Sequence, residues 1–169
     1  MTSRVLCRGS VVADEWTLPA DGSGGGRAIV PLDRWRKERE ALLSAGTAVG
    51  VLLPNTADVD ALYAEVGDRP LLALEFPNFA DGRALSQAVV LRTRLGYTGE
   101  LRAVGDIIRD LVFWLGRCGF DTIVPRPDQD LEACRLALAE LGVSYQAAAD
   151  GRTPAWIHRR AGVTLARGS

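Results

Sequence analysis

Charged side chains crowd into three short stretches of this chain, each beside an apolar run. The first is Glu75-Phe76-Pro77-Asn78-Phe79-Ala80-Asp81-Gly82-Arg83, followed by Ser86 and Gln87. The second is Arg102-Ala103-Val104-Gly105-Asp106, followed by Arg109 and Asp110. The third is Pro125-Arg126-Pro127-Asp128. A guanidinium beside a helix N-terminus binds oxyanions, because its charge and the free backbone N–H groups act together. Arg83, Arg102 and Arg109 are therefore the candidate anion-binding residues. Glu75, Asp81 and Asp106 are the candidate catalytic groups, carboxylates that would move a proton. Plain structural roles stand beside these: Asp81 as a helix cap with Arg83 as its ion-pair partner, and Asp106 as a cap paired with Arg109.

The residue inventory narrows the chemistry. The cysteines are Cys7, Cys118 and Cys134, with no CxxC pair among them, and His158 is the single histidine. Four thiolates for an iron–sulfur cluster are not available within the chain, and a histidine-based zinc site lacks partners. Scattered cysteines of this kind read as buried apolar residues in a reducing compartment. Cys118 as a nucleophile would sit at a helix C-terminus, where a thiolate is disfavoured. Asp21-Gly22-Ser23-Gly24-Gly25-Gly26 lacks the Gly-Lys-Ser/Thr ending of a phosphate-binding loop and reads as a linker or hairpin tip. No metal site is expected, and no motif for a nicotinamide dinucleotide, haem or an iron–sulfur cluster is present, so the cofactor stays unknown. Of the 20 basic residues only Lys37 is a lysine, so almost every cation is a planar fork suited to carboxylate, sulfate or phosphate.

These groups need a scaffold. The 169 residues amount to one domain able to bury a core without metal or disulfide support. Hydrophobic residues make up 47% and charged residues 24%, which is globular usage. A net charge of -1 argues against a nucleic-acid platform. No apolar run reaches the ~20 residues of a membrane span, and the N-terminus lacks a signal-like stretch, so a cytoplasmic protein is expected. Residues 1–30 read as a short β segment with a glycine-rich loop, with strands over Arg4–Arg8 and Val11–Leu18. Residues 31–169 read as a single α/β domain. A surface helix is expected from Pro31 or Leu32 to Ala45, laced by Asp33/Lys37, Arg34/Glu38 and Arg36/Glu40.

From there apolar runs alternate with helical patterns. The runs are Ala48–Leu53, Leu71–Phe76, Leu101–Val104, Thr122–Val124 and Val143–Ala147. The helices between them are Asp58–Val66, Asp81–Leu95, Asp106–Cys118 and Asp128–Leu141, with Asp81, Asp106 and Asp128 as N-caps. Repeated βα units of this spacing imply right-handed crossovers and a mostly parallel sheet, either an open doubly wound sheet or a partial barrel. Thr153–Leu165 would add an edge strand. Ligands gather at the carboxyl ends of such strands, which is what selects the three charged stretches.

One helix is over-supplied with apolar residues. Between Ile107 and Leu115 only Arg109 and Asp110 are polar. Ile108, Leu111, Val112 and Leu115 make a core stripe, which leaves Phe113 and Trp114 outside it. Either the N-terminal segment covers them or another protein chain does. Phe113 and Trp114 are thus the candidate partner interface.

The block Phe76-Pro77-Asn78-Phe79-Ala80-Asp81-Gly82-Arg83-Ala84-Leu85-Ser86-Gln87, with Leu91-Arg92, Gly96 to Asp106, Asp110 and Arg117-Cys118-Gly119-Phe120-Asp121, resembles a bacterial family of unknown function. This family is domain of unknown function nine hundred thirty-four, whose members are commonly labelled oxidoreductases of sulfite reduction. The resemblance covers roughly Thr47 to Leu141, with a mild departure at Ala84-Leu85. It implies a role near assimilatory sulfate or sulfite reduction, with sulfite reductase components as partners. Two functions follow as expectations. One is a non-redox accessory protein that binds a partner and holds a small oxyanion, beside a plain reading in which the charged segment is wholly structural for a homodimer. The other is a small enzyme, an oxidoreductase among the options, acting on an anionic sulfur-containing or phosphorylated substrate with strand-end arginines and carboxylates.

Overall fold

The computed structural model describes residues 3–18 and 26–139 of the chain. The expected Val143–Ala147 strand, the Thr153–Leu165 edge strand, the end of the last helix and most of the glycine-rich loop lie outside those residues. The strands are β1 (Arg4–Cys7), β2 (Ser10–Ala13), β3 (Trp16–Thr17), β4 (Arg27–Pro31), β5 (Val49–Leu53), β6 (Leu71–Phe76), β7 (Glu100–Gly105) and β8 (Thr122–Ile123). The helices are α1 (Leu32–Ser44), α2 (Val59–Val66), α3 (Arg83–Thr93), α4 (Arg109–Arg117) and α5 (Leu131–Ala139).

All eight strands form one sheet in the order β2-β1-β8-β7-β6-β5-β4-β3. From β3 to β8 every neighbouring pair is parallel. β1 is antiparallel to both β8 and β2. The N-terminal segment is therefore built into both edges of the sheet. Its second expected strand is split at Asp14-Glu15, and β4, an apolar run just past the glycine-rich stretch, was not anticipated.

Consecutive parallel strands are spatial neighbours, so each right-handed crossover steps the same way and each helix lands on the same face. The core bears this out. Trp35 of α1, Val66 of α2, Leu91 of α3, Val112 of α4 and Cys134 of α5 pack with Val51, Leu72, Leu74, Leu101 and Ile123. The opposite face carries a second cluster, Trp16, Ile29, Leu71, Ala73 and Val104, which contains no helix residue. The sheet is singly wound and curls into a half-barrel, which excludes the doubly wound alternative.

A local signal accounts for the start of α2. The Asp58 carboxylate accepts from the N–H groups of Asp60 and Ala61 at the start of α2. On α1, Arg34 pairs with Glu38 as expected, but Arg36 reaches across to Glu65 of α2 rather than to Glu40. Trp35 is fully buried beneath the guanidiniums of Arg39 and Arg69.

At the amino end of β7 one side chain holds three elements together. Arg92, in the last turn of α3, donates Nε–H to the Gly119 carbonyl and Nη1–H to the carbonyls of Tyr97 and Gly99. Its Nη2 bonds the Asp121 carboxylate, whose same oxygen accepts the Leu101 N–H that opens β7. Both partners of this ion pair are largely buried. Arg92→Ala should lower the unfolding free energy by about 3 kcal/mol, the scale for stripping one partner from a buried pair. Arg92→Lys should recover less than half of that, since an ammonium cannot address four acceptors in one plane. Urea denaturation measures both, and a loss under ~0.5 kcal/mol for the alanine variant, the surface-substitution scale, would contradict this role.

Candidate functional site at the carboxyl edge

The loops leaving β5, β6, β7 and β8 meet at the carboxyl edge of the sheet. β6 ends in a tight loop: the Asn78 side chain accepts from Ala80 N–H and its carbonyl from Asp81 N–H. β7 ends at Gly105, whose φ of +111° suits glycine alone, and a Cβ there would stand 2.3 Å from the Phe76 carbonyl. This close approach lets Asp106 N–H bond that carbonyl at 2.7 Å. The Asp106 side chain then turns into the β6–α3 loop and accepts from Phe79 N–H at 2.9 Å.

Asp106 is therefore a loop clamp and not a helix cap. α4 begins three residues later, and the Gln129 side chain accepts from Arg109 N–H at 2.9 Å. Nor does Asp106 pair with Arg109. Its second oxygen meets Arg126 at 3.0 Å, and Arg126 also grips Asp128. Asp128 is correspondingly not the cap of α5, a place taken by Asp130, which accepts from Glu132 N–H. Asp81 lies one residue ahead of the α3 N-cap, Gly82, yet still accepts from Arg83 N–H at 3.1 Å. It holds the Arg83 guanidinium at 2.6 Å and accepts from the buried Asn55 amide at 2.7 Å. The ion pair foreseen for Asp81 and Arg83 is realised, whereas the cap position of α3 falls to Gly82 and Asp81 bonds the first turn from one residue outside it.

The structure brings Asp81, Arg83 and Asp106 to one edge, and adds Asn55, Arg126, Asp128 and Gln129. Arg126 and Asp128 stood in the third charged stretch. Asn55 and Gln129 carried no local signal, because their partners lie 20 or more residues away. Arg102 is elsewhere. It sits within β7 on the face away from the helices, 3% exposed, with its donors on Asp14 at 2.9 Å and Glu100 at 3.2 Å. Arg109 has its guanidinium 3.8 Å from Asp110. Glu75 is the penultimate residue of β6, half-buried, opposite Val104 in register, with no partner among the described residues.

Electrostatics sort the carboxylates. Hydrogen bonds from the Arg83 side chain, then from its backbone, lower Asp81 from its ordinary 3.8 to about 2. The Phe79 N–H, followed by Arg126, lowers Asp106, and Arg126 lowers Asp128. Such groups stay ionised at neutral pH and are weak proton donors and acceptors there. Their alternating charges serve to stitch loops. Among the described residues no group of three His, Cys, Asp or Glu side chains is placed to hold a metal ion.

Away from this edge, α4 buries Val112 and Leu115, while Ile108 and Leu111 are only partly buried. α5 packs along it and in turn meets β1 and β2. Phe113 is half-buried, and Trp114 is 57% exposed with its ring edge-on to Phe113 at a centroid distance of 5.4 Å. Beside them Arg8 and Gly9, Phe113, Arg117, Phe120 and Arg135 enclose a cleft of about 350 Å3. Of these residues, only Phe113 was singled out in sequence as a candidate site residue. Arg8-Gly9 forms the two-residue turn of the β1–β2 hairpin, and only its glycine is a turn signal in the sequence.

Fold and edge together define a singly wound α/β protein with a polar carboxyl rim. The family model described as bacterial protein of unknown function (DUF934) matches residues 50–156, more than half of the chain, which therefore belongs to that family. A search of the curated proteins finds no match. No described helix is long and apolar enough to cross a membrane.

The depressed carboxyls make the rim acid-sensitive. A group lowered in the folded state adds stability above its ordinary value and loses it as pH falls through the folded value. Stability should therefore fall as pH drops from 3.8 toward about 2 on account of Asp81. Asp81→Asn should flatten that limb, as read by urea denaturation at stepped pH. An unchanged acid limb would show that the Arg83 contact does not hold the carboxylate in solution.

Proposed function

We propose that the chain is an accessory protein of assimilatory sulfate or sulfite reduction that works by docking on a partner, a sulfite reductase component, in the cytoplasm. The observation that carries this reading is Trp114: a large aromatic, mostly exposed, on a helix whose Val112 and Leu115 stripe is already buried. Exposed aromatics with neighbouring arginines are the usual anchors of protein interfaces. The family resemblance supplies the pathway. The stitched carboxylates of the rim favour a binding role over proton chemistry at Asp81 and Asp106. A small oxyanion at the rim would meet Arg83, whose guanidinium is more than half exposed.

Trp114→Glu should abolish the complex with the sulfite reductase haemoprotein of the same organism while leaving a folded monomer. Size exclusion with light scattering and circular dichroism reads both. A wild-type protein that stays monomeric and forms no complex would overturn the docking reading, and a tight homodimer would transfer Trp114 to self-association.

A second reading rests on Glu75. It is a half-buried carboxylate, without partner among the described residues, near the carboxyl end of a central strand, where catalytic groups of wound α/β folds sit. Here the chain is an enzyme acting on an anionic sulfur-containing or phosphorylated substrate, with Glu75 moving the proton and Arg83 orienting the anion. Once turnover of such a substrate is found, Glu75→Gln should cut kcat at least ~100-fold, the lower end for a general acid or base. Unaltered kcat would remove Glu75 from the chemistry.

A further inference from the structure

The cleft beside α4 has a composition that folding alone does not require. Its walls come from three separated parts of the chain: Arg8 and Gly9 of the β1–β2 turn, Phe113, Arg117 and Phe120 of α4 and the residues after it, and Arg135 and Leu138 of α5. At about 350 Å3 it falls at the small end of the ~300–1,000 Å3 range of ligand sites.

Arg8 is the telling residue. It is the one non-glycine among the described residues with positive φ, +47°, and Gly9 follows at +82°. Two residues of positive φ joining Cys7 to Ser10 make a turn of the mirror-image hairpin class, which prefers Asn, Asp or Gly at the first position. A long arginine there accepts a backbone conformation that suits other residues better. Its side chain gains little: one bond to Asp121 at 3.2 Å, with 76% of it exposed. The backbone N–H donates to the Asp121 carbonyl at 2.8 Å, a bond that any non-proline residue there could make. Asp121 is already engaged by Arg92 and by Leu101 N–H.

The remaining polar groups fit the same reading. Arg135 pairs with Glu132, itself largely exposed, and stays more than a third exposed. Bare carbonyls at the end of α4 would repel an anion, but three of its last four are occupied. Trp114, Leu115 and Gly116 accept from Cys118, Phe120 and Gly119, and the Gly119 carbonyl accepts from Arg92. The cleft therefore presents guanidiniums at its rim and phenyl rings in its wall.

We propose that this cleft binds a small phosphate or sulfate monoester with an aromatic body, the anion held by Arg8 and Arg135 and the ring packed on Phe113 and Phe120. The site is separate from the carboxyl rim, and its test does not depend on partner docking. Titration calorimetry at low salt on the full chain is the experiment, with phenyl phosphate and adenosine 5′-monophosphate as probes and inorganic phosphate as control. At least one aromatic ester should bind about ten-fold more tightly than inorganic phosphate. Arg8→Asn and Arg135→Gln should each weaken that ester about ten-fold, the scale of one charge-assisted contact. Arg8→Asn should keep or raise the melting temperature, because asparagine adopts the turn conformation readily. Failure of both esters at millimolar concentration, equal binding of inorganic phosphate, or unchanged affinity in both variants would overturn the proposal.

Discussion

The Arg92 guanidinium is the point on which the rest of the arrangement turns. Its four acceptors belong to the loop that enters β7 and to the loop that enters β8, while its own backbone belongs to α3. A single planar group thus sets where β7 and β8 begin relative to the helix between β6 and β7. Tyr97 completes the corner. Its ring lies under Arg92 and its hydroxyl donates to the Arg69 carbonyl, while burial pushes its pKa well above that of free tyrosine. Because β6 and β7 pair along six residues, a start fixed at the amino end fixes Gly105 opposite Phe76 at the other end. The Asp106 clamp on the β6–α3 loop is therefore a consequence of bonds made at the opposite end of the strands.

Single winding explains why the polar rim exists at all. With the helices on one face, the carboxyl ends of β5 to β8 bring successive loops side by side along one edge. Those loops carry many carboxylates and few apolar residues to hold them. They are joined instead by Asn55 to Asp81 and by Arg126 to both Asp106 and Asp128. Exposed pairs of this kind contribute little to global stability. Their effect is local: they fix loop geometry and hold the carboxylates ionised. A rim built this way positions groups well and exchanges protons poorly, which leaves Glu75 as the carboxylate whose surroundings differ.

The sequence made the βα rhythm legible because it is written in local periodicity. β5, β6 and β7 and the helices α1 to α4 fall close to the apolar runs and helical patterns that mark them. The choice between a doubly wound sheet and a partial barrel was not legible, since it depends on which strand lies beside which. Aspartate roles were half legible. A carboxylate three residues before a helix pattern looks like a cap, but Asp106 spends its oxygens on Phe79 and Arg126, far from α4 in bonding terms. Arg102 misled for the opposite reason. It lies near a strand end in sequence, yet the alternation of the strand turns it onto the face away from the helices, where Asp14 from the N-terminal segment neutralises it.

The residues that carry the family resemblance have a common fate in the fold. Tyr97, Gly99, Gly119 and Asp121 all bond to Arg92, Gly105 permits the β7 turn, and Asp106 clamps the neighbouring loop. A pattern made of such residues identifies the scaffold with confidence and says little about what the scaffold does. The residues least explained by folding are of another kind: Trp114, exposed on a helix that is already packed, and Arg8, held in a conformation that a smaller residue would fill at less strain. Arg8 precedes the matched span and Trp114 falls within it, and both face the same side of the molecule, through the Phe113 ring that touches Trp114 and lines the cleft under Arg8. Such strain is held in place by the surrounding fold, and its position beside an exposed aromatic is the observation from which the docking and cleft proposals start.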